Sequence, residues 1–240
     1  MKIIVLLGLD LGEITINGEH EQQDGFYDDF YAELMGTGVV SKVWRFIHLT
    51  MEKPFKNKKE TRVLEIGSGN GEHFKYTSSN IDSYFATDIR IDILRKSLGL
   101  KPNVVVEMQD VCSLKYEDGF FDRVIMTCVL VHLSDPITAL NEIRRVTKFG
   151  GYFSLYIPCE PGIILRGIRK ISTHSKAKRL GVKNITYLHF LEHRNYFLAM
   201  DYFVRSVFSE DLIKARYYPI PFLSWNFNLF RLYTIQIKPE

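Results

Sequence analysis

Between residues 62 and 158 the chain alternates short runs of β-branched and other apolar residues with longer stretches whose apolar positions recur at helical spacing. This is the rhythm of repeated β-α-β units, and it predicts a mostly parallel sheet. The expected strands are 62–66, 84–87, 104–108, 121–127 and 152–157, each followed by polar or glycine punctuation. Two more, 213–218 and 229–237, are separated by Pro219, Pro221, Trp225 and Asn228 and read as a closing hairpin of the same sheet. The best-defined helix precedes the fifth strand. Asp135 suits its cap, Pro136 its first position, and Ile137, Leu140, Ile143 and Val146 form an apolar stripe that Gly150 and Gly151 end. Ahead of the first strand, residues 27–55 read as one or two helices with Phe30, Leu34, Val40, Val43, Phe46 and Ile47 on the apolar side. After Pro158 the rhythm breaks, and residues 159–209 read as a longer helical segment rich in Arg, Lys, His and Tyr.

A chain of 240 residues, 46% of them hydrophobic, can bury one full α/β core. The expected organisation is an N-terminal extension at 1–25 and a single domain at 26–240 carrying a helical insertion at about 159–209. A formal net charge of +3 is too small to point to a nucleic-acid partner. Cys112, Cys128 and Cys159 are odd in number and widely spaced, which predicts neither a disulfide framework nor a zinc site and fits a reducing, cytoplasmic setting. The opening nine residues are apolar behind Lys2, but Asp10 and Glu13 arrive early and no small-residue cleavage site follows. A strand-like or loose extension is expected there, with a signal peptide the lesser reading. No apolar run is long enough to span a bilayer.

Candidate chemistry begins at the end of the first strand, in Val63 to Gly71, VLEIGSGNG. Val63, Leu64 and Ile66 form a buried-strand run, and Gly67, Gly69 and Gly71 alternate with the small polar residues Ser68 and Asn70. Glycines let the backbone turn sharply and let a ligand lie against the main chain. The spacing departs from the dinucleotide fingerprint, and the strand carries an acid, Glu65. A carboxylate there would repel a pyrophosphate but could pair with an ammonium group. The second strand runs into Asp88, about twenty residues on, where a carboxylate can accept two ribose hydroxyls. The third runs into Gln109 and Asp110. Ligands of open parallel sheets bind at the carboxyl ends of strands, so three acids at successive strand ends form a candidate site.

These motifs resemble those of the class I S-adenosylmethionine-dependent methyltransferases, whose first motif reads acid-x-Gly-x-Gly-x-Gly. The resemblance covers roughly 27–158 and the terminal hairpin, and implies a Rossmann-like fold of seven strands, mostly parallel, flanked by helices. It implies that Glu65, Gly67, Ser68, Gly69 and Gly71 cradle S-adenosylmethionine, with S-adenosylhomocysteine as product. Asp88 would hold the ribose, Ile89 would pack on the adenine, and Asp110 with Val111 would meet the adenine amino group and ring. Cys128, in the segment CVLVHLSDP, would line the cleft under the methionine moiety, and Tyr27 and Tyr31 would fold over the donor as a lid. Core packing is the other reading for these two tyrosines.

Methyl transfer from a sulfonium needs alignment and a dry cavity, and a base only where the acceptor is a weak nucleophile such as a sugar hydroxyl. The candidate bases are His193 in YLHFLEHRNY, His132, and Glu160 just after the fifth strand. His132 reads equally as a structural histidine, and His189 with His193 as an ordinary i, i+4 pair. That pair lacks a third ligand nearby in sequence, so no metal is expected. From 166 to 183 the bases Arg166, Arg169, Lys170, Lys176, Lys178, Arg179 and Lys183 accompany an apolar stripe of Ile164, Leu165, Ile168 and Ile171. Such a helix reads as a contact for a membrane surface or a phosphate-bearing acceptor, or as a solvated helix whose apolar side packs on the sheet. The leading expectation is a methyltransferase for a small-molecule or glycan acceptor. A looser resemblance, in His193, the tyrosines and the proline-rich turn near Trp225, points to surface-polysaccharide biosynthesis, with a peripheral place at the inner membrane face left open. The alternatives are a carbon methyltransferase of quinone or lipid biosynthesis, a nucleic-acid methyltransferase or binding protein, and a donor-binding module without turnover.

Overall fold

In the computed structural model the described residues are 38–77, 80–89, 91–99, 101–175 and 185–239. The extension at 1–25, Tyr27, Tyr31, Phe30, Leu34 and the bases Lys176, Lys178, Arg179 and Lys183 lie outside them. The chain enters through helix α1 (Gly38–Glu52) and a short 3-10 turn (Lys53–Phe55). It then alternates β1 (Glu60–Ile66), β2 (Ile81–Thr87), α2 (Ile91–Leu98), β3 (Val104–Glu107), β4 (Phe121–Thr127), α3 (Pro136–Val146) and β5 (Thr147–Pro158). Helix α4 (Ile163–Arg169) runs on into a π-helical turn (Lys170–His174). It is followed by α5 (Ile185–Glu192), α6 (Phe197–Val207), β6 (Leu212–Tyr218) and β7 (Phe230–Gln236).

The seven strands form one sheet in the order β3-β2-β1-β4-β5-β7-β6. The first five are parallel, and β7 runs antiparallel to both β5 and β6. This is the expected α/β architecture with its closing hairpin. Strand order reverses between β1 and β4, so the loops after these two strands flank the switch point where ligands of such sheets bind.

Apolar residues cover both faces of the sheet, as a central parallel sheet requires. On one face Leu140, Ile143 and Val146 of α3 and Phe197, Met200 and Val204 of α6 pack on Val124, Met126, Phe153 and Leu155. On the other, Ile47 and Met51 of α1 and Leu94 and Leu98 of α2 pack on Val63, Tyr84 and Ile125. Helix α3 starts as its sequence predicts, with the Asp135 carboxylate accepting from the Thr138 amide at 3.0 Å. Its end differs. The helix stops at Val146, and Gly150 and Gly151 lie within β5, where Gly150 takes φ +77°. Ile137 and Phe46, expected in apolar stripes, are exposed, because the helices present one narrow side to the sheet.

A polar knot lies beneath α1. Arg123 of β4 is fully buried and donates to both Glu52 carboxylate oxygens, at 2.7 and 3.1 Å, and to Ser154 Oγ at 3.0 Å. Its guanidinium lies 3.6 Å from the centre of the Phe55 ring. Glu52 also meets His73 Nε2 at 2.8 Å, and His73 Nδ1 lies 2.7 Å from His48 Nδ1. Burial, then the neighbouring His73, pushes the His48 pKa down to about 3. Burial alone would raise Glu52, but Arg123 and His73 outweigh it and hold the carboxyl down at about 2.

Candidate functional site

The loop after β1 has the conformation its glycines predict. Gly67, Gly69 and Gly71 take φ +67°, +54° and +75°, in the left-handed region that side chains disfavour. Two of them also have no room for a Cβ. At Gly67 it would fall 2.1 Å from Val129 Cγ2, and at Gly71 2.6 Å from Leu98 Cδ1. Gly69 has nothing within 4 Å of that position, which leaves its main chain open to a ligand. Ser68 anchors the loop, its amide donating to Thr87 O at 2.9 Å and its hydroxyl to Glu65 O at 3.2 Å. Gly67→Val is expected to weaken donor binding about tenfold or more through backbone strain and the clash with Val129. Calorimetric titration of the donor checks it.

Asp88, at the end of β2, accepts from the Gly69 amide at 2.9 Å, so the second-strand acid and the glycine loop share one edge of the cleft. Ile89 beside it is 73% exposed, an apolar side chain offered at that edge. Asp110 is exposed and its carboxylate accepts from the Cys112 amide at 2.9 Å, which fixes its own turn, while Val111 is buried. Glu65 is buried below the loop, its carboxylate accepting from Tyr84 Oη at 2.8 Å. Burial raises its pKa despite His73 and the bonds from Tyr84 and Ser68. Its reach is therefore to the loop's underside. These residues fit an adenosyl ligand: an open glycine backbone, a carboxylate beside it and an exposed aliphatic face.

A second constellation forms at the ends of β4 and β5. Cys128 follows β4 with φ +59°, and burial, with Glu160 nearby, pushes its thiol up to about 12. A thiol so raised stays neutral and is a poor nucleophile. Glu160, only 4% exposed, accepts from His193 Nδ1 at 2.6 Å. His189 Nε2 stands 3.2 Å from the same oxygen and 2.5 Å from Arg169 Nη1, and it can serve only one of them at a time. Arg169 also pairs with Glu160. Burial would raise the Glu160 carboxyl, but bonds from His189 and His193 and the charge of Arg169 hold it well below the usual carboxylate range. The ligand atoms of Glu160, His189 and His193 converge within 4.8 Å, so the structure supplies the third group that the sequence lacked beside the histidine pair. The cation this cluster meets in the chain is the guanidinium of Arg169.

His132 stands edge-on to His193, ring centres 4.9 Å apart, with its Nδ1 2.9 Å from the Glu192 carbonyl. Accepting from Nδ1, that carbonyl leaves Nε2 of His132 as a lone pair, and the Glu160 bond does the same for His193. Burial lowers both histidines, His193 to about 4 against the raising effect of Glu160. The insertion is held here through its backbone: the amides of Arg194 and Asn195 both donate to Val131 O, and Asn195 Nδ2 to Leu130 O and Leu133 O. The structure thus brings together His132, Glu160 and His193, all three candidate catalytic residues, and adds Arg169, His189 and Asn195. The high density of hydrogen-bonding side chains in YLHFLEHRNY was the available signal for the last two.

The comparisons agree with this reading of the fold. Residues 64–155 match the family described as Methyltransferase domain. An uncharacterised methyltransferase of Schizosaccharomyces pombe is 36% identical over 108 residues, 40% of this chain and 39% of that protein. Demethylmenaquinone methyltransferase of Renibacterium salmoninarum is 31% identical over 91 residues, 38% of each. The chain thus spans about two fifths of the length of these curated relatives. Among solved structures, N-methyltransferase NodS of Bradyrhizobium japonicum, in complex with S-adenosyl-L-homocysteine, superposes with a TM-score of 0.60 at 11% identity. That match covers 92% of this chain and 98% of NodS. With the glycine loop and sheet order, the domain match shows that residues 64–155 are similar to a methyltransferase domain, and the fold is that of the S-adenosyl-L-homocysteine-bound structure. No described helix is long and apolar enough to cross a membrane.

Proposed function

We propose that the protein methylates a hydroxyl of a small-molecule or glycan acceptor, with His193 as the general base. The observation that carries this reading is the bond from His193 Nδ1 to the buried Glu160 carboxylate, which leaves Nε2 as the proton acceptor. Bound S-adenosylmethionine supplies an electrophilic methyl group on sulfur. Gly67, Gly69, Asp88, Ile89, Asp110 and Val111 would hold it. His193 would then take the acceptor's hydroxyl proton as the oxygen attacks the methyl carbon and the sulfur–methyl bond breaks, S-adenosylhomocysteine leaving, and Glu160 orients the ring and stabilises the imidazolium that forms, the logic of an oriented base. His132, edge-on to His193, stands beside the base. The helical insertion selects the acceptor, and its surplus of basic side chains suits a phosphate-bearing glycan of the kind used in polysaccharide assembly.

Acceptor profiling with labelled donor tests this reading: transfer to hydroxylated glycans or nucleotide sugars supports it, and transfer only to a prenylated ring sinks it. That second outcome is the carbon-methylation reading, which the likeness to demethylmenaquinone methyltransferase favours. Removing a proton from carbon would use the same base. The pH profile is a further check. His193 must be neutral to act, so activity is lost as pH falls through its pKa. Burial places that pKa near 4, with Glu160 opposing and His189 and His132 reinforcing the shift. The acid limb of kcat is therefore expected well below 6.5, and a limb at ordinary histidine pKa would assign the base elsewhere.

A further inference from the structure

The helix after Glu160 is docked inside out. Along α4 and its π-helical continuation the half-buried positions are Leu165, Arg169, Ser172, Thr173 and His174, a mostly polar stripe from which Arg169 reaches Glu160 and His189. The isoleucines take the opposite side. Ile164, Ile168 and Ile171, spaced by four and three residues, are 38%, 40% and 78% exposed, and Ile163 beside them is 61% exposed. Neither the helix nor its continuation buries a single residue. An amphipathic helix on a globular protein ordinarily turns its apolar stripe to the core, and of the two readings of this helix the packing of the stripe on the sheet is the one the structure does not follow. The reason is local: the inward side is committed to the Arg169 contacts with Glu160 and His189.

Charge identifies what this face suits. Arg166 and Lys170 are exposed next to the isoleucines. From 161 to 191 the sequence contains seven lysines and arginines and no aspartate or glutamate. Exposed aliphatic side chains beside the exposed bases Arg166 and Lys170 match the boundary of an anionic bilayer, where isoleucines enter the acyl edge and the bases meet lipid phosphates. A protein-binding helix more often anchors through aromatic residues, and none lies between 161 and 175. We propose that α4 and its π-helical continuation form a docking face for an anionic membrane surface. Because Arg169 ties this helix to Glu160, docking sets the candidate catalytic cluster close to the bilayer. The inference goes beyond the acceptor assignment and does not depend on it.

Co-sedimentation of the full chain with vesicles tests it. The chain is expected to sediment with phosphatidylglycerol–phosphatidylethanolamine vesicles and to stay in solution with phosphatidylcholine alone. Ile168→Asp with Ile171→Asp should cut the bound fraction about fivefold or more, and Arg166→Glu with Lys170→Glu should do the same and remove its salt sensitivity. Unchanged S-adenosylhomocysteine binding by the variants controls for folding and for the cofactor assignment separately. Equal binding to both vesicle types, no binding to either, or binding that survives the aspartates would overturn the proposal. So would a dimer of the wild-type chain that these aspartates split while vesicles fail to bind, which assigns the face to a second copy.

Discussion

His193→Ala is expected to lower turnover by about 10²–10⁴-fold while leaving donor affinity unchanged, since the role proposed for the residue is to take a proton rather than to hold the adenosyl group. Glu160→Gln should reproduce much of that loss. The amide keeps the size of the side chain but presents no charge to the His193 ring, so the imidazolium formed in the reaction loses its stabilising partner. The two losses should not add, because base and orienting carboxylate act as one unit. Single-turnover measurements with the wild type, both single variants and the double variant check this. An activity in His193→Ala within a few fold of wild type would move the base to His132, whose Nε2 is left free to accept once Nδ1 is bonded to the Glu192 carbonyl.

The second large effect concerns stability. Arg123→Met is expected to destabilise the fold by about 3–5 kcal/mol, because it leaves Glu52 buried without its bidentate partner. Equilibrium urea unfolding measures it, and a change below about 1 kcal/mol would mean that Glu52 is neutralised or rehydrated at little cost. Changing both residues, Arg123→Met with Glu52→Leu, should recover only part of the loss, since the buried Glu60, 3.7 Å from Arg123, still loses its cation. The same knot gives the fold an acid limit. His48 has a folded pKa near 3 against 6.5, so the unfolded chain binds more protons and stability declines as pH falls below about 6.5. Glu52, near 2 against 4.5, adds a further loss as pH falls below about 4.5.

The glycine loop was legible in the sequence for a physical reason. A glycine loop at the end of a strand is a local device: Gly67 and Gly71 each need a positive φ and the absence of a Cβ, and both needs leave a mark in consecutive residues. The strands between 62 and 158 were equally visible, because both faces of a parallel sheet demand near-continuous apolar runs. Long-range polar pairing left no such mark. Arg123 reads as an interruption of an apolar strand, and nothing near it in sequence names Glu52, 71 residues away, as its partner. Glu160 and His193, 33 residues apart, could be suspected one by one but not as a pair. Their meeting depends on backbone bonds from Arg194 and Asn195 to the loop after β4. Amphipathicity alone leaves the orientation of α4 open between a surface contact and packing on the sheet, because the contacts of Arg169 with Glu160 and His189 decide which side faces inward.

The central claim is that the edge formed by Gly67, Gly69 and Asp88 binds the adenosyl cofactor. Calorimetric titration of S-adenosylhomocysteine into the wild-type chain and into Asp88→Ala tests it most directly. The predicted result is saturable one-site binding by the wild type and an affinity at least about tenfold weaker in the variant, as the loss of a carboxylate paired with two ribose hydroxyls implies. No binding by the wild type, or an isotherm unchanged by Asp88→Ala, would contradict the account.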